Sequence, residues 1–203
     1  MVVSVRGVPI GWQTSHVERI DGGVRVVDHL SLSAFAEQRT EILLLGDGRI
    51  HWVRQGGIVN GVAIRTSLEY RRNRVRGVTV VPTPLGGAAI PADTTIPAGT
   101  IDDNAITAFL PALPWGPDAR WSFPDFVSTS DTIRKVLVDS VRTMTLRVTG
   151  QATVSLPTGA VDTWQAELSG GPSPLIYYVT QTAPHRLVRM EVTGAALEFV
   201  LVN

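Results

Sequence analysis

The chain has 203 residues, of which 44% are hydrophobic and 18% charged, and its formal net charge at pH 7 is zero. All-β folds cover this length as one domain, and the composition is typical of a globular protein, so we expect a single β-rich domain over residues 1–203. A neutral chain has no overall field that would steer it to nucleic acid, and we expect no nucleic-acid partner. The absence of cysteine excludes disulfides, thiolate nucleophiles and cysteine-ligated metals.

Membrane and export signals are absent from the sequence pattern. No apolar run approaches the roughly 18 to 20 residues of a membrane span, so no transmembrane segment is expected. The residues from Met1 to Arg6 read as a strand and lack the layout of a signal peptide. We therefore expect that an export signal is not present in this chain.

The first half of the chain predicts antiparallel strands, because apolar and β-branched runs alternate with glycine and proline turns. Tight turns are predicted at Asp21-Gly22 and at Arg72-Asn73. The second turn places Thr66 opposite Thr79 on an otherwise apolar face of the hairpin. The opposite face is charged, which indicates a sheet with one buried side.

The middle of the chain breaks this pattern. Pro82–Thr100 predicts a long surface connection with one extended pass at Ala88–Pro91. One short helix is predicted next from apolar residues at helical spacing. Those residues are Ile106, Phe109, Leu110 and Leu113. Prolines limit this helix to about two or three turns, and Asp102 or Thr100 is expected to cap it.

Strands resume after the helix and continue to the end of the chain. The predicted runs are Arg120–Phe126, Ile133–Asp139, Val141–Ser155, Val161–Leu168, Leu175–Thr180, Arg186–Val192 and Ala196–Val202. Roughly eleven to thirteen strands without alternating helices argue against a parallel α/β fold. An antiparallel sheet of this length has to curl. The predicted fold class is therefore mainly β, a curved antiparallel sheet forming a barrel or half-barrel around one short helix.

Several stretches, in this order along the chain, carry a resemblance to a known family. They are Gly7-Val8-Pro9-Ile10-Gly11, the turn Val154-Ser155-Leu156-Pro157-Thr158-Gly159, and Tyr177-Tyr178-Val179 followed by Ala183-Pro184-His185-Arg186-Leu187-Val188-Arg189. Together they resemble an uncharacterised bacterial family of exported, β-rich proteins, the domain of unknown function DUF3108. The resemblance implies a curved antiparallel sheet wrapped around a helix, and residence in the periplasm or on the cell envelope. It implies no catalytic residues.

Histidines are the commonest metal ligands and general bases. The chain has four, at His16, His29, His51 and His185. His16 and His29 would approach each other across the first hairpin, but three-ligand sites need more than this, and an exposed hairpin face is the favoured interpretation. His185 is expected to bond a turn carbonyl, and no GxSxG elbow is present. We predict no catalytic residue, metal or cofactor.

The sequence contains an acidic and a basic cluster, and we expect both to have a structural role and no binding role. Asp102-Asp103, with Asp93 and Asp125 elsewhere, suggests paired carboxylates or a cation site, but helix capping explains the pair at lower cost. An arginine cluster lies around the second predicted turn and would suit a phosphate. Its members are Arg71, Arg72, Arg74 and Arg76. A solvated hairpin tip is the favoured interpretation.

Aromatic residues provide the leading functional hypothesis. The five tryptophans would suit the wall of an apolar cavity in a curved sheet, although core packing is the favoured alternative. The candidate ligand-binding residues are Trp12, His51, Trp52, Trp121, Tyr178 and His185. The hypothesis is a non-enzymatic exported protein of the periplasm or cell envelope that binds a hydrophobic small molecule, a lipid or an envelope protein.

Two alternatives stay open. One is a small hydrolase or isomerase with His51 or His185 as base in a barrel mouth; a deep pocket with a histidine beside a carboxylate would favour it. The other is a purely structural domain with a large exposed apolar patch for a protein partner. An apolar groove without titratable groups would favour the carrier.

Overall fold

A computed structural model describes residues 1–83, 86–131 and 136–202 of the chain. This part of the chain contains fifteen strands and one short helical segment, which confirms the mainly β class. The strands are β1 (Val2–Val5), β2 (Val8–Ile20), β3 (Gly23–Leu32), β4 (Ala36–Leu45), β5 (Ile50–Val59), β6 (Val62–Arg71), β7 (Arg74–Thr83), β8 (Gly86–Thr95), β9 (Ile101–Asp102), β10 (Arg120–Asp131), β11 (Val136–Leu156), β12 (Gly159–Ser169), β13 (Leu175–Thr180), β14 (Leu187–Val192) and β15 (Leu197–Val200).

The chain divides into two compact units. Unit 1 comprises Met1–Gln13, Ile106–Phe123 and Thr143–Asn203, and unit 2 comprises Thr14–Ala105 and Pro124–Arg142. Strands β2, β10 and β11 contribute residues to both units. The single domain expected from the length stays a prediction.

Unit 2 is built from consecutive antiparallel hairpins, in which each of the strands β3 to β7 pairs with the strand that follows it. The two predicted turns are confirmed: β2 ends before Asp21-Gly22, where Gly22 has φ 78°, and β6 ends before Arg72-Asn73. The register of the second hairpin places Thr66 opposite Thr79, as predicted. One face of these strands carries a packed apolar row, whose successive cross-strand partners are Val26, Ile42, Val53 and Leu68.

The predicted surface connection over Pro82–Thr100 is largely a strand. β8 (Gly86–Thr95) pairs along its length with β7. The prolines that argued for a loop are compatible with β8 because it ends the strand order, and a strand with one unpaired side tolerates a residue without an N–H. The extended pass at Ala88–Pro91 is therefore confirmed but is part of a longer element.

Unit 1 contains the predicted C-terminal meander, in which β12, β13, β14 and β15 pair in succession and β15 then pairs with β1. Two runs predicted as separate strands, Ile133–Asp139 and Val141–Ser155, are joined in β11 (Val136–Leu156), although residues 133–135 lie outside the described part. Tyr177 and Leu168 are fully buried here and anchor the core of this unit.

The barrel alternative is wrong. The strand order runs from β8 through β7 to β1, then through β15 to β10, and it ends at β9; its two end strands are not neighbours. Closure would require those ends to pair. β9 has only two residues, and β8 carries Pro91, which has no N–H to donate. The large sheet is open and antiparallel, except that β9 pairs with β10 in parallel.

The helical segment occupies residues 103–112 as predicted, but only its centre, Ile106–Phe109, is α-helical; 3-10 turns flank it at Asp103–Ala105 and Leu110–Ala112. Asp102 caps it, since the Asn104 N–H donates to Asp102 Oδ1 at 2.9 Å. Asp102, Asp103 and Asn104, at the start of this segment, belong to unit 2.

Candidate functional site

One transverse row of side chains in unit 2 is polar where the adjacent row is apolar. Its members are cross-strand partners on β3 to β7, namely Asp28, Thr40, Gln55, Thr66 and Thr79. Residues two positions apart on a strand share one face, so this polar row lies beside the apolar core row. Its three threonines are buried. A buried polar row costs free energy unless its groups find partners.

The polar row is only partly hydrogen-bonded. Gln55 Nε2 donates to Thr40 Oγ1 at 3.2 Å and to Asn104 Oδ1 at 3.1 Å. Asp28 Oδ1 and Thr79 Oγ1 are buried and have no hydrogen-bond partner among the described residues. A buried polar atom without a partner costs about 1–3 kcal/mol.

Three aspartates lie next to this row because of the parallel pairing of β9 with β10. That pairing sets Asp125 beside Ile101 and Phe126 beside Asp102. Asp102 is 1% exposed and Asp125 is completely buried, while Asp103 is exposed. Residues that are far apart in sequence thus form one acidic cluster at the start of the helical segment.

Asp102 is held by donors on both oxygens. The Tyr70 hydroxyl donates to Oδ2, and the backbone and side-chain nitrogens of Asn104 each donate to Oδ1 at 2.9 Å. Burial raises the pKa of Asp102, and these hydrogen bonds oppose the rise. Burial and the adjacent Asp102 charge raise the pKa of Tyr70, so this hydroxyl keeps its proton and acts as a donor. Its ring packs edge-to-face against Phe126, with centroids 6.2 Å apart.

Asp125 is completely buried and has one charged partner. Arg142 Nε donates to Asp125 Oδ2 at 2.8 Å, whereas Oδ1 has no partner in the described part of the chain. Burial raises the pKa of Asp125 to about 6, against the opposing effect of Arg142. The carboxyl therefore titrates near neutral pH.

Asp103 lies at the edge of the cluster and accepts a hydrogen bond from Asn104 Nδ2 at 3.1 Å. Loss of surrounding water raises the pKa of Asp103, and repulsion by Asp102 and Asp125 raises it further. Because Asp103 is exposed at the surface, repulsion by the two buried carboxylates is the better supported of these two causes of the rise in its pKa. The cluster thus holds protons more tightly than isolated aspartates do.

A cavity of about 280 Å³, here called the inner cavity, opens between the polar row and the acidic cluster. It is lined by Gln38, Gln55, Val59, Ile64, Thr66, Leu68, Thr79, Val80, Asp102, Asp103, Asn104 and Phe126. This volume is close to the lower end of the range for small-molecule pockets. The wall combines apolar side chains with a few convergent polar groups, the usual composition of such pockets.

A larger concave region of about 850 Å³, the charged cleft, lies over β3 to β6. Its lining includes His29, Glu37, Arg39, Arg54 and Arg65. His29 Nε2 is 3.7 Å from Glu37 Oε1, but the two side chains are 37% and 72% exposed. A histidine beside a carboxylate is thus present on an open surface and not in the deep pocket that an enzyme requires to exclude water.

Two of the six predicted ligand-binding residues lie in unit 2, and neither lines the inner cavity. His51 is exposed. The Trp52 ring stacks under the Arg54 guanidinium, which is 4.5 Å from the ring centroid. The register explains the position of Trp52, which pairs with Leu43 on the face opposite the core row. His51 lies at the register shift between Leu43 and Leu44 and, among the described residues, has no partner in the pairing of β4 with β5.

The other four predicted residues belong to unit 1. Trp12 is 42% exposed, and Trp121 packs edge-to-face on Trp115 at 5.2 Å. The Tyr178 ring lies under Arg189 at 5.4 Å. His185 Nδ1 is 2.8 Å from the Thr180 carbonyl oxygen, which confirms the predicted hydrogen bond to the turn.

The arginine cluster is engaged with a neighbouring strand. Arg74 Nε and Arg76 Nε donate to Asp93 Oδ1 at 2.5 and 3.0 Å. All three side chains are close to half exposed, so the interpretation as a solvated hairpin tip is confirmed. Asp93, on β8, is thereby separated in role from the acidic cluster.

The described residues include no group of three or more histidine, cysteine, aspartate or glutamate side chains arranged to hold a metal ion. In the same part of the chain, no helix has both the length and the apolar character to cross a membrane.

The inner cavity was not predicted, although the sequence contains two signals of it. One signal is Thr66 and Thr79, two hydroxyl residues on the apolar face of their hairpin. The other is the pair Asp102 and Asp125, but their separation along the chain does not indicate the parallel pairing that brings them together. Gln55 and Thr40 occupy the same inward row, which only the full register shows.

The chain was compared with family models, curated proteins and solved structures. A family model described as a protein of unknown function, DUF3108, matches residues 60–198, more than half of the chain, and confirms the resemblance inferred from the sequence. The matched span includes Tyr70, Thr79, Asp102 and Asp125, and so most of the site. No curated protein and no solved structure matches the chain.

Proposed function

We propose that this chain, which belongs to the DUF3108 family of proteins of unknown function, is a non-enzymatic protein that binds a small amphipathic molecule in the inner cavity. The supporting observation is the unpartnered, buried Thr79 hydroxyl in a cavity that also contains the Asp102 carboxylate. A bound polar group would supply the hydrogen bond that the described part of the chain does not provide to Thr79.

The apolar part of the ligand would lie against the rest of the wall. Val59, Ile64, Leu68 and Phe126 contribute aliphatic and aromatic surface to the inner cavity. Burial of apolar area contributes about 25 cal/mol per Å² to binding, before the costs of association. A mixed wall of this kind favours an amphipathic ligand over a purely hydrophobic one.

The cellular setting belongs to the same proposal. We propose residence in the periplasm or cell envelope, and a lipid or an envelope protein as the partner, because the resemblance to the family implies that setting. The mixed wall of the inner cavity supports an amphipathic lipid as the small-molecule candidate.

The enzyme alternative is supported by one observation, the carboxyl of Asp125, whose pKa of about 6 suits a general acid or base. Against it, Asp125 does not line the inner cavity and is bonded to Arg142. Neither candidate base, His51 or His185, lines that cavity. Binding is therefore the better supported function.

Native mass spectrometry before and after organic extraction tests the proposal. We expect a bound species of low mass that extraction removes, and we expect Val59→Trp, which fills the inner cavity, to lose it. Ile58→Trp is the matched control, because Ile58 is the next residue of β5 and does not line this cavity. Equal occupancy in both variants would contradict the proposal.

A further inference from the structure

Resting on the proposed function, we infer that the polar end of the ligand is a cationic hydrogen-bond donor, an amine, and that the inner cavity discriminates against carboxylates. The inference deepens the binding proposal by assigning the chemical class of the buried end. It follows from the charges and the unpartnered groups that line this one cavity.

The charge balance of the lining is one-sided. Asp102 and Asp103 are acidic, and none of the lining residues is lysine, arginine or histidine. The cation bonded to the cluster, Arg142, is directed to Asp125 through a contact of 2.8 Å. An anionic ligand would meet repulsion without a compensating cation in the lining, whereas an ammonium group would be attracted.

The hydrogen-bonding groups also suit a donor. The Thr79 hydroxyl has no partner among the described residues, can accept as well as donate, and is more than nine-tenths buried. Gln55 already donates twice, to Thr40 and to Asn104, so its amide protons are committed. An ammonium group has three donors and no acceptor, which matches a cavity rich in oxygen acceptors.

Proton binding provides an independent signature. The pKa of Asp102 and that of Asp103 are both raised, with Asp125 and the Arg142 cation as further charged neighbours and with Tyr70 as a neutral donor. A bound cation would lower these pKa values, so amine binding releases protons and strengthens as pH rises. A carboxylate would take up protons and bind more weakly as pH rises.

Isothermal titration calorimetry with three probes of equal chain length separates these cases. Octylamine, octan-1-ol and octanoate are titrated into the full chain at pH 7 in buffers of different ionisation enthalpy. We expect octylamine to bind on the order of tenfold more tightly than octan-1-ol, the gain of one charge-assisted hydrogen bond. We expect octanoate to bind most weakly, and octylamine binding to release protons.

Asp103→Asn tests the charge directly. This substitution keeps the size of the side chain, and we expect it to weaken octylamine on the order of tenfold while octan-1-ol is unchanged. Asp47→Asn is the control, because Asp47 is exposed in a turn, where it pairs with Arg49 at 2.6 Å. It should change neither affinity.

The outcomes distinguish the inference from the proposed function. Octanoate binding as tightly as octylamine, or an unchanged octylamine affinity in Asp103→Asn, would overturn the amine assignment and leave the binding proposal standing. Failure of all three probes to bind would overturn both.

Discussion

At the scale of single residues, the most demanding feature is a carboxylate that is 1% exposed and yet lies in contact with a cavity. Asp102 is tolerated there because Tyr70 and Asn104 donate to both of its oxygens. A buried carboxylate without such partners would cost several kcal/mol. Tyr70 is therefore a supporting residue of the inner cavity, although it does not line it.

Removing the Tyr70 hydroxyl should destabilise the folded chain. Tyr70→Phe leaves Asp102 Oδ2 without its donor, and we expect the free energy of unfolding to fall by about 1–3 kcal/mol. Urea unfolding followed by tryptophan fluorescence measures this change. Tyr178→Phe is the matched control, because Tyr178 is only half-buried and water can replace its partner; an equal loss in both variants would contradict the role assigned to Tyr70.

Asp125 should make stability depend on pH. Its pKa is about 6 when folded and near the ordinary value of 3.8 when unfolded, so the folded chain binds the proton more tightly. The stabilisation is complete below about pH 4 and is lost as pH rises through 6. Between pH 5 and pH 7, this group should lower the free energy of unfolding by about 1 kcal/mol.

Asp125→Asn should reduce that pH dependence without abolishing it, since the pKa values of Asp102 and Asp103 are raised as well. The control is Asp93→Asn, because two arginines lower the pKa of Asp93 and it is already ionised above pH 5. Urea titrations at pH 5 and pH 7 provide the comparison. An unchanged slope in Asp125→Asn would show that this carboxyl is not the titrating group.

At the scale of elements, two glycines permit close strand approach in unit 2. A Cβ on Gly57 would lie 2.0 Å from the Glu37 carbonyl oxygen, and one on Gly77 would lie 1.9 Å from that of Ser67. Gly57 also has φ 157°, a conformation that side chains disfavour. These positions need glycine for the register that forms the polar row.

Gly57→Ala should therefore destabilise the chain by about 2 kcal/mol or more, from strain and overlap together. The matched control is the adjacent residue of β5, since a Cβ on Gly56 has no atom within 4 Å. Gly56→Ala should change the free energy of unfolding by less than about 0.5 kcal/mol. The urea unfolding midpoints of the two variants are compared with that of the unmodified chain. Similar midpoints for Gly57→Ala and Gly56→Ala would contradict the close approach of β4 and β5 at Gly57.

Elements with local signals were predictable from the sequence, and those with remote partners were not. The Arg72-Asn73 hairpin follows from alternation and turn chemistry alone. β8 was read as a loop because its prolines exclude a central strand but not an end strand. The two-residue β9 carries no periodic signal, and its parallel pairing with β10 depends on tertiary packing. The candidate site was missed for this last reason.

At the scale of the whole molecule, the proposed binding site lies entirely within unit 2. Its core row holds the strands together, and its polar row and acidic cluster leave one cavity with unsatisfied groups. Of the tryptophans that suggested a ligand from the sequence, Trp52 stacks with an arginine, and Trp115 and Trp121 pack on each other. The prediction of Trp12, Trp52 and Trp121 as ligand-binding residues stays untested, and the proposed site instead rests on inward-facing threonines, because hydroxyls in an apolar face require a partner.

Methyl NMR of the labelled chain during titration with octylamine and with octan-1-ol tests the central claim, that the inner cavity is the binding site. We expect saturable shifts at the methyl groups of Val59, Ile64 and Thr79, with little change at Ile58. Shifts confined to Ile58 and its neighbours in the charged cleft, or no saturable shift at all, would contradict it.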